Sequence, residues 1–330
     1  MRALWVVASP LTVHTGHMTG ATTSTTFVTG AAGFIGAALV RVLLARGHEV
    51  YGLTPSVEAA RHVRRLGAVP VMGDLLEPGQ WQDVAGARWV FHVPPQATCW
   101  RRLGRNDAAS MARTRVLMDA HLLDAVGEGA TRRIVYVADA SAYGATGPRP
   151  ITEDAPTRPS TRGRCLTPAL DRLGGYIASG LPIVAGFPGW VYGNGSWFRE
   201  WVIDPVMTGR PVLQVGGAAP WVSPVHVEDC ARALVHLAGH GKVGGRYFLV
   251  NSDPIRLHEF AASFAHLANR PLRVRSVPWM VARFAFGQVL ADDFRADAVF
   301  SNIRLRSTGF RFTYPTLEEG LQQVLATLHV

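Results

Sequence analysis

The chain has 330 residues, 48% of them hydrophobic, and a formal net charge of +9. That length and apolar content provide for a sizeable buried core, which excludes a disordered or fibrous protein. The positive charge is almost all arginine, scattered without a long basic run or an accompanying motif, so nucleic acid is not an expected partner; Lys242 is the only lysine.

Residues 1–24 read as a flexible extension, or as an upstream start with Met18 as a second initiator. Residues 4–13 resemble a signal h-region, but only Arg2 supplies positive charge ahead of them. No apolar stretch approaches the roughly 20 residues that span a bilayer, so no membrane partner is expected. Cys99, Cys165 and Cys230 have neither zinc-site spacing nor disulfide density. A reducing, cytoplasmic setting without a metal follows.

Strand patterns fall at 26–28, 49–54, 69–72, 89–93 and 133–138, and helical patterns at 34–45, 57–66 and 108–126. Strands alternating with helices of this length predict an α/β protein whose parallel sheet is covered on both faces. A Pro- and Thr-rich stretch over 148–168 reads as an exposed loop, followed by a helix over 169–179 and a strand over 182–186. A helix over 317–328 closes the chain. The expected architecture is a Rossmann-type doubly wound sheet (25–189 and 223–255) with a smaller substrate lobe (190–222 and 256–330).

The loop Thr29-Gly30-Ala31-Ala32-Gly33-Phe34-Ile35-Gly36 follows a strand and opens a helix. In that setting Gly30 permits the tight turn, Gly33 lets the backbone approach a pyrophosphate, and Gly36 allows close helix packing. Free amides at the helix start then offer donors to phosphate. A nicotinamide dinucleotide is the expected cofactor. After the second strand stand Thr54, Pro55 and Ser56 rather than the carboxylate that usually binds a ribose hydroxyl in NAD binders. With Arg61 and Arg64 as sources of countercharge, or else as solvated helix residues, the balance tilts to NADP over NAD. Asp74, before Leu75, either reaches the adenine edge or caps the next helix.

Together with Gly73-Asp74-Leu75, Val90-Phe91-His92, Tyr143-Gly144, the run from Pro188 to Gly193, Val225-His226-Val227-Glu228-Asp229 and Tyr314-Pro315-Thr316-Leu317, this loop resembles the extended short-chain dehydrogenase/reductase family of epimerases, dehydratases and reductases. The resemblance spans residue 25 to the C-terminus. It implies further cofactor contacts from Ala32, Phe34, Ile35, Val93, Pro94 and Pro188. It also implies a Ser or Thr four residues before Tyr143, and a Tyr-x-x-x-Lys pair near 160–167. Here the first position is Asp139, and residues 160–167 contain neither Tyr nor Lys. The usual proton-exchanging phenol and the lysine that lowers its pKa are therefore absent.

Asp139 is the leading substitute, as a carboxyl desolvated beside the nicotinamide; a structural hydrogen bond or a salt bridge to Arg162 or Arg164 is the alternative. Ser141 and Tyr143 are further catalytic candidates. His92 and His226 read as interior structural histidines. In the second lobe, the stretch 218–226 lacks the arginine with which sugar-nucleotide members grip a diphosphate. The aromatic residues Trp190, Trp197, Phe198, Trp201 and Trp221, with the apolar run 277–281, suit a flat or hydrophobic substrate, or else fill the lobe's core. Trp190, Trp197 and Trp221 are the substrate-binding candidates.

These readings converge on an atypical NAD(P)-binding enzyme of small-molecule biosynthesis. It would act on a hydrophobic or polycyclic substrate by acid–base isomerisation, cyclisation, dehydration or an unorthodox hydride step. A ketoreductase or epimerase with a substitute proton donor, and a non-catalytic dinucleotide sensor, are the alternatives. A homodimer is left open.

Overall fold

The computed structural model describes residues 24–94, 105–127, 131–217 and 219–328. Nearly all of the N-terminal extension, Cys99 and Ala218 lie outside these residues. In chain order the first half forms β1 (Thr25–Thr29), α1 (Phe34–Ala45), β2 (Glu49–Thr54), α2 (Val57–Arg65), β3 (Val69–Met72), α3 (Gln82–Ala85), β4 (Trp89–His92), α4 (Arg105–Val126), β5 (Arg133–Val137), β6 (Gly147–Ile151) and α5 (Thr167–Ala178). Two 3-10 turns, Ala140–Ala142 and Gly163–Cys165, lie between β5 and α5.

The second half forms β7 (Ile183–Pro188), β8 (Trp190–Tyr192), α6 (Ser196–Phe198), a π-helical stretch (Arg199–Ile203), α7 (Asp204–Thr208), β9 (Val212–Val215), β10 (Trp221–Val222), β11 (Pro224–His226), α8 (Val227–His240) and β12 (Arg246–Leu249). It continues with β13 (Ile255–Arg256), α9 (Leu257–Leu267), β14 (Val274–Val277), α10 (Trp279–Phe286), α11 (Gln288–Asp293), β15 (Ala298–Phe300), α12 (Ile303–Ser307) and α13 (Leu317–Ala326).

Seven parallel strands run in the order β3-β2-β1-β4-β5-β7-β12. The order reverses between β1 and β4, which opens a crevice at the C-terminal strand ends. Successive strand residues point to opposite faces, and both faces are apolar. Val28, Phe91 and Val135 join Leu39 and Leu43 of α1 and Leu234 and Leu237 of α8 in one core. Their neighbours Phe27, Val90 and Ile134 join Leu122 and Leu123 of α4 and Leu173 of α5 in the other.

A second, four-stranded sheet runs β13-β10-β15-β6. The loop expected over 148–168 is therefore partly a strand. Pro148 and Pro150 are compatible with pairing because β6 is an edge strand, where a missing N–H costs no ladder bond. Residues 147–151 accordingly pair within the second lobe, so the two lobes interleave more than the sequence division implies. Tyr192, Phe198, Phe260, Phe264 and Leu321 form the second lobe's own core. Cys165 and Cys230 are buried free thiols.

Candidate active site

The crevice is a cavity of about 640 Å³ that runs from the glycine loop to the second lobe. The glycine loop shapes one end. Gly30 has φ +64°, and a Cβ there would lie 1.9 Å from the Val93 carbonyl oxygen; a Cβ on Gly36 would lie 2.0 Å from the Gly30 oxygen. Both clashes are with backbone, so these two glycines let the turn and helix α1 close together. Gly33 differs: a Cβ would meet only the Gly30 oxygen, at 3.2 Å. Gly33 lines the cavity with Gly30, Ala32, Phe34, Ile35 and Gly36. The first amides of α1 precede any helical acceptor. This cradle, which a side chain at Gly33 would fill, fits the pyrophosphate of a dinucleotide.

Asp74, Leu75, Val93, Pro94 and Pro188 also line the cavity. Asp74 Oδ1 accepts from the Leu76 amide at 2.9 Å, a local turn bond; the residue does not cap the next helix, whose N-cap position is Trp81. Thr29, Thr54 and Ser56, expected as cofactor contacts, do not line the cavity; they hold its frame. Thr29 Oγ1 meets His92 Nδ1 at 2.9 Å and accepts from the Val93 amide at 3.1 Å. Thr54 Oγ1 donates to the Val71 carbonyl, and Ser56 Oγ caps α2 by accepting from the Ala59 amide. The end of β2 contributes Leu53 and Pro55 to the wall and α2 contributes Ala59, none of them a carboxylate. Arg61 and Arg64 are exposed on α2.

His92 has the structural setting read for it. Its Nε2 lies 2.7 Å from Asp119 Oδ1, which also accepts from Arg115 Nε at 2.8 Å, and Tyr136 donates to Asp119 Oδ2. This buried network joins β1, β4, β5 and α4 just behind the crevice. His226 accepts from the Glu228 amide through Nδ1 and begins α8; its Nε2 is buried without a partner, and the residue does not line the cavity.

The opposite end of the cavity is built from three chain segments. Asp139 follows β5, and its Oδ1 accepts from the Ser141 amide at 2.8 Å, holding the first 3-10 turn. Ser141 Oγ is buried without a hydrogen-bond partner. The second turn presses on the first: a Cβ on Gly163 would lie 2.1 Å from the Ser141 oxygen, so glycine permits this contact. The adjacent Arg162 then reaches the cavity and bonds Asp293 of α11, with Nε at 2.7 Å and Nη2 at 2.6 Å from Oδ2. Thr161 Oγ1 donates to Asp292 at 3.2 Å.

Burial pushes the Asp293 carboxyl above the ordinary carboxylate range; Arg162 opposes this, and the charge of Asp139 adds to it. Asp139, Arg162 and Asp293 thus meet at this end of the cavity among apolar walls. Sequence reasoning named Asp139 but missed Asp293. The only available signal was the Asp292-Asp293 pair, which ends a stretch from 260 to 291 without Asp or Glu.

Three expectations are corrected. Tyr143 is buried at 1% exposure, its hydroxyl donates to the Glu153 carbonyl at 3.0 Å, and its ring packs on Phe187, Phe248 and Phe300. Burial also pushes its phenol up, so it is a packed residue outside the cavity lining rather than a proton donor. Trp221 stands outside the cavity, beneath the Arg256 guanidinium. The run 277–281 contributes nothing to the cavity, because Met280 and Val281 point outward. Trp190 and Trp197 do line the wall, with Phe294, Ala298 and Phe300. They also pack edge to face at 4.9 Å, and Trp197 Nε1 donates to the Val191 carbonyl, so wall and lobe core are the same residues. Among the described residues no group of His, Cys, Asp and Glu has the arrangement of a metal site.

Known proteins share this fold. The chain superposes on Thermus thermophilus UDP-glucose 4-epimerase in complex with NAD with a TM-score of 0.78, 22% identity, and coverage of 92% of this chain and 99% of that one. It also resembles a human epimerase family protein solved with NADPH, at TM-score 0.75, 20% identity, and coverage of 92% and 99%. In sequence it is 27% identical to the 4-hydroxy-2-methyl-3-oxo-4-farnesyl-3,4-dihydroquinoline-1-oxide ketoreductase of Stigmatella aurantiaca over 79% of this chain and 78% of that protein. It is 28% identical to a 3-diazoavenalumate denitrifying reductase of a Streptomyces species over 89% and 98%. Residues 26–250 match the model of one family, and with the doubly wound sheet this establishes that the chain belongs to the NAD dependent epimerase/dehydratase family.

Proposed function

We propose that the chain is a nicotinamide-dinucleotide-dependent reductase of a hydrophobic, ring-bearing small molecule from a biosynthetic pathway. One observation carries the reading: a single cavity joins the glycine cradle to an acid–base group of Asp139, Arg162 and Asp293, walled by Trp190, Trp197 and Phe294. The names of the two sequence relatives, both reductases of ring-bearing metabolites, support it.

The residues of the cradle, Gly30, Gly33, Phe34, Ile35 and Gly36, would hold the pyrophosphate, and Val93, Pro94 and Pro188 the nicotinamide half. When bound, the dinucleotide supplies a hydride to carbon. The chain must then deliver a proton to the substrate heteroatom. Asp139 is our proton donor, because it lines the apolar cavity with Arg162 and Asp293 and stands where the family is expected to place its Ser or Thr. Arg162, oriented by Asp293, and the unpartnered Ser141 hydroxyl offer hydrogen bonds to the developing oxyanion. The aromatic wall orients a flat substrate and excludes water.

Reduced dinucleotide deuterated at nicotinamide C4, incubated with the enzyme and a panel of aryl ketones, quinones and fused-ring substrates, tests the reading. Deuterium is expected on a substrate carbon. Failure to bind either dinucleotide overturns the proposal. A redox-neutral isomerisation or dehydration with no deuterium transfer establishes the second reading, which the pair of carboxylates favours: one carboxyl as acid and the other as base.

A further inference from the structure

The strongest surface feature outside the cavity lies where β14 and α10 meet. Between residues 260 and 291 the chain carries Arg270, Arg273, Arg275 and Arg283 and no Asp or Glu. All four arginines are exposed. Arg210 is exposed beside them, since Val212, two residues on, bonds the Arg273 carbonyl and begins the strand paired with β14.

Next to this basic strand in sequence, α10 turns an apolar arc outward. Met280 is 76% exposed, Phe284 71% and Val281 52%, and Val274 on β14 is exposed as well. Met280 and Phe284 are the two most exposed large apolar side chains among the described residues, and they lie one helical turn apart. A surface of this kind marks an interaction site.

Charge decides between partners. A two-fold dimer would press the patch against its own copy, arginines against arginines, with no carboxylate in this segment to neutralise them. An anionic lipid surface presents phosphates to the arginines and acyl chains to the apolar arc. No helix among the described residues is long and apolar enough to cross a membrane, so attachment would be peripheral.

We propose that α10 and β14 form a docking face for an anionic phospholipid surface. Met280, Val281 and Phe284 enter the headgroup boundary, while Arg273, Arg275 and Arg283 meet the phosphates. Helix α11, which packs on α10, carries Asp293 and leads to Phe294 of the cavity wall. Docking therefore sets the substrate end of the cavity near the lipid. The proposal stands without the reductase reading, because it rests on different residues.

Flotation of the full chain with vesicles of phosphatidylcholine, alone or mixed with phosphatidylglycerol, tests it. Recovery with the mixed vesicles is expected to exceed that with phosphatidylcholine alone by about tenfold and to fall as salt is raised. Met280→Asp with Phe284→Asp should abolish flotation, as should Arg273→Gln with Arg275→Gln and Arg283→Gln, while melting temperature and dinucleotide affinity are unchanged. The arginine set alters only exposed side chains, so the test survives if the apolar pair misfolds. Absence of flotation, indifference to anionic lipid, or a dimer in light scattering that Phe284→Asp dissociates would each overturn the proposal.

Discussion

At the scale of single residues, the three glycines of the cradle separate folding from binding. Gly30 and Gly36 face backbone oxygens at 1.9 and 2.0 Å from a would-be Cβ, so alanine at either forces the loop apart. Gly33 has ordinary extended backbone angles and only one tight neighbour. Gly33→Val is therefore expected to fold with a near-parental melting temperature and to lose dinucleotide affinity by at least ~100-fold in calorimetric titration. Gly30→Ala should instead lower stability by about 1–3 kcal/mol in urea denaturation, from its positive φ alone. For chemistry the informative change is Asp139→Asn, which keeps the size and the acceptor for the Ser141 amide but removes the proton. A fall of ~10²–10⁴-fold in kcat with cofactor affinity intact is expected. Parental turnover would transfer the role to Asp293. The motif made the glycines and Asp139 legible. Asp293 was not, because no local pattern tells a residue 154 positions later that it will face Asp139.

At the scale of elements, periodicity located the sheet and its main helices to within a few residues, since buried strands and amphipathic helices advertise themselves in apolar spacing. It missed β6, whose prolines read as loop, because edge position is a property of the assembled sheet. Two predictions belong here. The first concerns the end of β2, where Thr54, Pro55 and Ser56 bring no carboxylate, and α2, which holds Glu58 in its first turn but also carries exposed Arg61 and Arg64; NADP(H) should bind at least as tightly as NAD(H) in competition titration. Arg61→Glu with Arg64→Glu should weaken NADP(H) by about tenfold if those side chains meet a 2′-phosphate. The second concerns the network joining β1, β4, β5 and α4. Burial holds His92 below its usual 6.5, despite Asp119. Burial works to raise Asp119, but Arg115, His92 and Tyr136 together hold it below the ordinary range. Both groups have depressed folded values. Their stabilisation is thus complete above the unfolded values and is lost as pH falls, first below about 6.5 for His92. The urea midpoint should drop between neutral pH and pH 5, and His92→Gln should flatten that dependence. Asp119→Ala should cost about 3–5 kcal/mol at neutral pH by leaving the Arg115 charge without its buried carboxylate.

At the scale of the whole molecule, the sequence division into two lobes captures their composition but not their interlocking. Strand β6 pairs with β15 from the far end of the chain. Thr146 Oγ1 accepts from the Val299 amide, and Arg162 bonds Asp293. The cavity wall likewise draws on the turns that follow β1, β4 and β5, the end of β7, and α11. These contacts tie together two lobes that each have a core. Thermal unfolding is therefore expected as one cooperative transition rather than two. A dinucleotide that occupies the cradle binds only the folded form, so a concentration 100 times its Kd should add about 2.7 kcal/mol. Spread over the unfolding entropy of a chain this long, that is a rise of about 4 °C. Scanning calorimetry with and without NADPH makes the comparison. Two resolved transitions, with only the first moved by NADPH, would show that the lobes fold apart and that the ties through β6 and Arg162 are too weak to couple them. A single transition that moves as a whole would show the second lobe responding to a ligand held by the first, as a cavity shared by both requires.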